Sequence, residues 1–520
     1  MSSRILIRGG TVVTMDAQLG NFRQGDVLVE DSKIVAVGPA LDVGDVEVVD
    51  ASGTVVMPGF IDSHRHMWEG ILRNIGVDVP LEGDASYLAF ILGTLAPAYR
   101  PEDVYAGNLV SAVGAINAGI TTVLDWSHIQ ISPEHTDAAV RALQESGLRS
   151  VFAYGFPWFG DWNPSQPEWF QRAASEHFSA KDQLLTLALA PPGPEFTPIE
   201  TAQAHWELTR SVDARITVHV GVGSFGQHGK VAELGRTGAL GPDTTYIHCT
   251  TLNDEEVQMI VDTGGTISLA VPVEMMMGHG MVPTQRFLDR GLAPSLSVDV
   301  ETNVPADMFT QMQNAVSLQH ALVFDRRLGG EENVPDAVTS RDVLRWATIE
   351  GARANGIDDH TGSLTPGKDA DVILLRTDAV NVLPVNDPIG AVVMGMDTSN
   401  VDSVFIAGRA VKRDGRLVGV DLAQVSALAH ESRDHVVSAS GFVPPEIERR
   451  RGGGAGVDVD VDVDDSRPGA AARLRLRPAR GSRRPSRWSG TRPRRPAGRA
   501  AATAARRRPR GPRRRRTTHP

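Results

Sequence analysis

The chain of 520 residues holds a single cysteine, Cys249, so neither an intrachain disulfide framework nor a cysteine-rich metal site is available to it. Any bound metal must rely on histidines and carboxylates. No run of about 18 apolar residues is present to span a bilayer, and the opening MSSRILIRGG lacks the long apolar stretch of a signal peptide. These absences predict a cytoplasmic protein without a membrane partner. Beyond Asp465 there is no acidic residue and no lysine, yet that segment holds 20 of the chain's 52 basic residues, all arginine. The remainder carries 32 basic against 63 acidic side chains, a balance that repels phosphate backbones and predicts no specific nucleic-acid partner.

With 41% hydrophobic side chains, the chain can bury a large core and more than one domain. The runs ILIRGGTVVTM, GDVLVEDSKIVAVG and VEVVDASGTVVM are short, β-rich and broken by Gly, Asp and Ser turns, which predicts a small antiparallel β unit. From Val56 onward the rhythm changes to eight apolar runs: VVMPGFIDSH, ITTVLDW, RSVFAYG, LLTLALAP, RITVHV, TTYIHC, GTISLAV and PSLSVDV. Segments able to form helices or loops follow each of them, the pattern of βα units closing into a barrel. After helices from Arg341 to Gly356, the segments DADVILLRTDAVNVL and SNVDSVFIAGRAVKRDGRLV return to β character, and Leu422 to Ser438 reads as a helix. Neither β piece has enough strands to stand alone. The expected architecture is therefore α/β: a (β/α)8 TIM barrel over residues 57–360, with a small composite β-sandwich domain built from segments 1–56 and 361–450. Residues 451–520 read as a disordered Arg/Pro/Ala-rich tail. Arginine without lysine resembles a high-GC gene read out of frame, and an inert tail accounts for it better than a basic arm for acidic partners.

Chemistry concentrates at the ends of the predicted barrel strands. In PGFIDSHRH, residues i and i+2 of a strand share a face, so His64 and His66 aim two imidazoles at one point at the barrel's C-terminal mouth. His219 ends ITVHV, His248 ends TTYIHC and Asp299 ends PSLSVDV, where the active sites of such barrels lie. One histidine beside a strand end is ordinarily a hydrogen-bonded packing residue; recurrence at the same end of several strands is the pattern of a metal site. Cys249 follows His248 directly and reads as a small core residue facing the other way. The loops behind these strands carry Asp125 and Trp126, and the candidate substrate contacts Trp68, Glu69, His128, Glu195, Glu274 and His279. The run Met275, Met276 and Met277 reads as adaptable packing.

The order His64-x-His66, His219, His248, Asp299, preceded by VVMPGFIDSH and followed by GSLTPGKDAD (Gly362 to Asp371), resembles the amidohydrolase superfamily. Within it, the chain is most similar to the branch of cytosine, guanine and adenosylhomocysteine deaminases and triazine hydrolases, over roughly Ile5 to Ser440. The resemblance implies that His64, His66, His219 and Asp299 ligate one divalent metal ion, zinc with iron as the alternative, and that the enzyme is a homo-oligomer. It implies further that His248 orients the water or polarises a small-molecule substrate. Asp299 can accept a proton from a water acidified by the ion and return it to the leaving group, so Asp299 and His248 are the expected catalytic residues. Two features depart from the family. Members of this branch carry a Glu three residues after the third histidine, where this chain has Val222, and LLTLALAP ends without the lysine that bridges two metals in dihydroorotase-like members. The expected function is metal-dependent deamination of a small nitrogen-rich cyclic compound. The alternatives are release of halide, alkylamine or amide from a heterocycle, and a catalytically weak metal-bearing binding protein.

Overall fold

The run VVMPGFIDSH, which reads as one strand, is two strands in different sheets. Thr54–Pro58 belongs to an outer sheet and Phe60–Arg65 opens the barrel. Gly59 makes the transition: a Cβ there would lie 2.1 Å from Thr121 Oγ1, so no other residue fits without displacing the neighbouring strand. Periodicity could not reveal this break, because both halves are fully buried.

The computed structural model describes residues 4–158, 163, 166–180 and 182–443. The tail expected over residues 451–520 lies outside them. Strands β1 (Arg4–Val13), β2 (Asn21–Glu30), β3 (Lys33–Gly38), β4 (Glu47–Asp50) and β5 (Thr54–Pro58) come first. The barrel strands follow: β6 (Phe60–Arg65), β7 (Ile120–Ser127), β8 (Arg149–Gly155), β9 (Leu185–Ala190), β10 (Arg215–Val220), β11 (Thr244–His248), β12 (Thr266–Leu269) and β13 (Ser295–Leu296). Last come β14 (Val372–Arg376), β15 (Val401–Ile406), β16 (Arg409–Arg413) and β17 (Arg416–Leu417). Each of the eight predicted barrel runs contributes one barrel strand. The helix expected from Leu422 to Ser438 spans Leu422–Ser440.

The outer sheet runs β17-β16-β15-β14-β5-β1-β2-β3, with β4 also paired to β1. β1 is antiparallel to β2 but parallel to β4 and β5, so the N-terminal unit is mixed rather than antiparallel as expected. Alternating sequence specifies a strand; the path of the connecting chain sets the direction of its partner. β14 pairs with β5 from Val372 opposite Pro58 to Arg376 opposite Thr54, which joins the two ends of the described chain in one composite sandwich domain. Ile7, Val27, Val56, Leu364, Val372 and Phe405 share its core.

In the barrel, β6 to β13 lie side by side in sequence order. The seam between the last strand and the first closes through Asp299, whose N–H donates to the His64 carbonyl at 2.9 Å and whose carbonyl accepts from His66 N at 2.8 Å. Within the seam, Ser63 Oγ meets Ser268 Oγ at 2.7 Å, Ser295 Oγ at 2.8 Å and the Leu296 carbonyl at 2.9 Å, so these buried hydroxyls satisfy one another. The GKDAD motif ties the outer domain to the barrel. Arg149, at the start of β8, pairs with Asp371 at 2.7 Å and Asp369 at 2.9 Å, all three buried. Among the described residues, no helix is long and apolar enough to cross a membrane.

Candidate active site

Four strands deliver the site residues. β6 carries His64 and runs out at His66, β10 carries His219, β11 ends on His248, and Asp299 follows β13. The ligand atoms of His64, His66, His219 and Asp299 all lie within 4.8 Å of one another, and all four residues are buried. His64 Nε2 stands 3.0 Å from Asp299 Oδ1 and 3.1 Å from His219 Nε2, while His66 Nε2 is 3.4 Å from the same Asp299 oxygen. Burial lowers the His64 imidazole to about 3 and His219 well below its usual range, so both rings are neutral and each has a nitrogen lone pair to offer an ion. Three nitrogens and one carboxylate oxygen form a donor set suited to zinc or iron, and the residues fit such an ion.

Neighbouring groups fix these ligands. His66 Nδ1 donates to the Trp126 carbonyl at 2.8 Å, which leaves Nε2 as the ligating atom. Burial opposes charge on Asp299, but its contacts with His64 and His66 outweigh that and hold the carboxyl well below its usual range. His66 is raised for the complementary reason: burial lowers it, and Asp299 more than compensates. His248 and Asp299 sit at φ 70° and 68°, backbone conformations that cost a non-glycine residue about 1–3 kcal/mol and cluster at functional sites.

An ion network buried around Arg65 and Glu301 adjoins the ligands, on residues that no motif singles out. Arg65 Nε donates to Asp62 Oδ2 at 2.7 Å and its Nη1 to Glu301 Oε1 at 3.1 Å, while Arg73 and Ser111 also donate to Glu301. Asp62 Oδ1 accepts the Val298 N–H at 3.0 Å, one residue before Asp299. The signal was present in FIDSHR: two opposite charges inside a fully buried strand require partners.

His248 Nδ1 lies 3.1 Å from Glu274 Oε1, and its Nε2 lies 3.8 Å from Asp299 Oδ2. A cavity meets this group, with His66, His128, His219, His248, His279 and Asp299 in its lining. The rest is chiefly apolar, including Leu81, Leu88, Leu92, Val222, Phe196 and Phe225. Leu81, Leu88 and Leu92 come from the segment between β6 and the helix Pro101–Asn117, which carries no motif that could have announced them.

Of the six expected substrate contacts, His128 and His279 line this cavity; Trp68, Glu69, Glu195 and Glu274 are not part of its lining. Trp68 Nε1 donates to His128 Nδ1 at 3.2 Å. Glu69 accepts from Tyr87 Oη at 2.5 Å, and burial pushes its carboxyl up to about 8. Glu195 accepts the Gly221 N–H at 2.7 Å, and burial raises it to about 7. Glu274 also accepts the Ala270 N–H at 3.0 Å, and burial pushes it well above the ordinary carboxylate value. Asp125 accepts from Met67 N at 3.2 Å and Asn108 Nδ2 at 2.6 Å. Cys249 is a buried free thiol packed with Val220, Leu252 and Phe287. The methionine run divides: Met277 lines the cavity, whereas Met275 and Met276 are exposed.

The chain belongs to the amidohydrolase family, whose family model matches residues 55–411. It is a hydrolase of that family, acting on carbon–nitrogen bonds other than peptide bonds. The 5'-deoxyadenosine deaminase of Methanothermobacter thermautotrophicus is 31% identical over 437 residues, covering 82% of this chain and 97% of the relative. The 5-methylthioadenosine/S-adenosylhomocysteine deaminase of Pyrococcus abyssi is 27% identical, covering 81% and 96%. Among solved structures, a zinc-bound adenosine deaminase from Xanthomonas campestris superposes with a TM-score of 0.73 at 23% identity, over 84% of this chain and 99% of that one. A variant of the atrazine chlorohydrolase of Arthrobacter aurescens, complexed with zinc and atraton, gives 0.74 at 23% identity over 82% and 100%. At that identity the two structures speak for the fold.

Proposed function

We propose that this enzyme is a zinc-dependent aminohydrolase that removes an amino group from a ring carbon of a small, nitrogen-rich cyclic compound. The observation that carries this reading is the convergence of His64, His66, His219 and Asp299 beside an otherwise largely apolar cavity. The deaminases among its relatives support the choice of an exocyclic amine as leaving group.

His64, His66, His219 and Asp299 would hold a divalent ion, which would serve as a Lewis acid and bring the pKa of a water toward neutrality. Asp299, kept ionised by its histidine partners, accepts a proton and returns it to the departing nitrogen. His248, which burial lowers to about 4, stays neutral and directs Nε2 toward Asp299 while Glu274 holds its other nitrogen. Leu81, Leu88, Leu92 and Phe225 exclude bulk water from the reacting ring. His128 and His279 are the substrate contacts that the cavity offers among those expected. We take the enzyme to be cytoplasmic and homo-oligomeric, from composition and from its resemblance to the deaminase branch.

Val222 in the cavity lining favours a second reading, release of halide, alkylamine or amide, for which the acid absent at this position matters less. Metal analysis combined with ammonia release from a panel of pyrimidines, purines, pterins and triazines separates the two. Stoichiometric zinc with ammonia release supports deamination, and turnover without ammonia selects the second reading. Protein that takes up no metal even after reconstitution overturns both.

A further inference from the structure

We propose that His128 determines which ring the cavity accepts, by presenting a neutral N–H donor to a ring nitrogen or carbonyl oxygen of the substrate. The inference rests on the cavity being the substrate site of the proposed aminohydrolase. Its core is one hydrogen bond, Trp68 Nε1 to His128 Nδ1 at 3.2 Å. An indole N–H can only donate. His128 Nδ1 is therefore the acceptor, and the hydrogen of the ring belongs on Nε2.

Neither partner is free to turn. Trp68 is fully buried, stands edge-on to Tyr99 with ring centroids 5.0 Å apart, and has its carbonyl bonded to Tyr99 Oη at 3.2 Å. The His128 ring packs against His66 and Trp126, with centroids at 4.2 Å and 5.2 Å. Its backbone is pressed against β8, where a Cβ on Gly155 would lie 2.7 Å from His128 Cα. Trp68 thus fixes both the position and the tautomer of a residue that lines the cavity.

A fixed donor in a site with apolar walls selects by exclusion. A ring with a lone pair at that point satisfies the N–H, whereas a ring with C–H there leaves the donor unpaired and is rejected. A ring already protonated at the same nitrogen meets a second hydrogen and is rejected as well. The substrate class that follows is an aminated heteroaromatic with an unprotonated ring nitrogen or a carbonyl facing His128. Recognition then needs no acid at Val222.

Two measurements test this. With zinc-loaded protein carrying nitrogen-15 histidine, His128 signals are assigned by their absence from His128→Phe. They should show an unprotonated Nδ1 and a protonated Nε2 at neutral pH, and Trp68→Phe should let the hydrogen redistribute between the two. A protonated Nδ1 in the wild type overturns the proposal, whatever the enzyme turns over. Among rings that release ammonia, exchanging the recognised nitrogen for C–H should lower kcat/KM at least about tenfold in the wild type, chiefly through KM. In His128→Phe the same exchange should change it less than about twofold. Discrimination that persists undiminished in His128→Phe, at unchanged metal content and melting temperature, overturns the proposal. A wild type with the expected tautomer that releases no ammonia from any ring overturns the proposed function instead.

Discussion

Asp299 and His64 meet twice. Their backbones are joined by a 2.9 Å hydrogen bond that closes the barrel, and their side chains approach to 3.0 Å at the candidate metal site. Closure of the fold and assembly of the site are the same contact. Removing metal should therefore lower the stability of the whole barrel, by about 4 kcal/mol relative to protein at a thousandfold excess of zinc over its Kd. Calorimetry with and without chelator measures this; an unchanged melting temperature would separate the site from the seam.

Asp299→Asn keeps the shape of the side chain and tolerates the left-handed backbone, but it cannot accept a proton. The expected result is a folded protein whose kcat falls by about 100- to 10,000-fold. Steady-state kinetics beside metal analysis should find the loss in kcat exceeding any loss explained by reduced metal content.

Arg65 neutralises two buried carboxylates, Asp62 and Glu301. Arg65→Leu leaves both without that partner and should cost about 3–5 kcal/mol in denaturant unfolding. Because Asp62 also holds Val298 beside Asp299, zinc affinity should fall in parallel. Arg65→Leu with wild-type stability would show the network to be dispensable.

Glu195 gives a stability change with a definite sign. Burial raises its carboxyl to about 7 in the folded protein, against about 4.3 in an unfolded chain. Between those values the folded state keeps a proton that the unfolded state releases, so stability falls as pH rises through this window. The full loss, about 4 kcal/mol, is reached above pH 7. Unfolding curves at pH 5 and pH 8 should diverge more for the wild type than for Glu195→Gln; equal divergence contradicts the shift.

Gly59→Ala places a methyl group 2.1 Å from Thr121 Oγ1 at the junction of the two sheets. Forcing β7 aside should destabilise the protein by about 1–3 kcal/mol, read as a lowered melting temperature. A neutral effect would show that β7 can move aside at the junction without cost.

The eight barrel strands were legible because short apolar runs separated by helix-length segments admit few other folds. Gly59 hid inside one such run, and the parallel pairing of β1 with β4 and β5 left no mark in their alternation. The loops were legible as regions and not as directions. Trp68, Glu69, Glu195 and Glu274 follow the expected strands, yet each bonds a polar atom to a protein partner and none lines the cavity, while unmarked residues such as Leu88 and Phe225 face it.

By itself the sequence determined the chemistry available at the mouth: histidines and an aspartate at the ends of separate strands, without the acid expected at Val222. The two-residue repeat of a strand is local, so the shared face of His64 and His66 follows from their spacing alone. Tertiary structure decided which other polar groups reach the cavity and which are bonded within the protein. Those properties depend on bonds between residues far apart in the chain, such as Trp68 with His128 and Asp62 with Val298, and only the closed barrel brings them together.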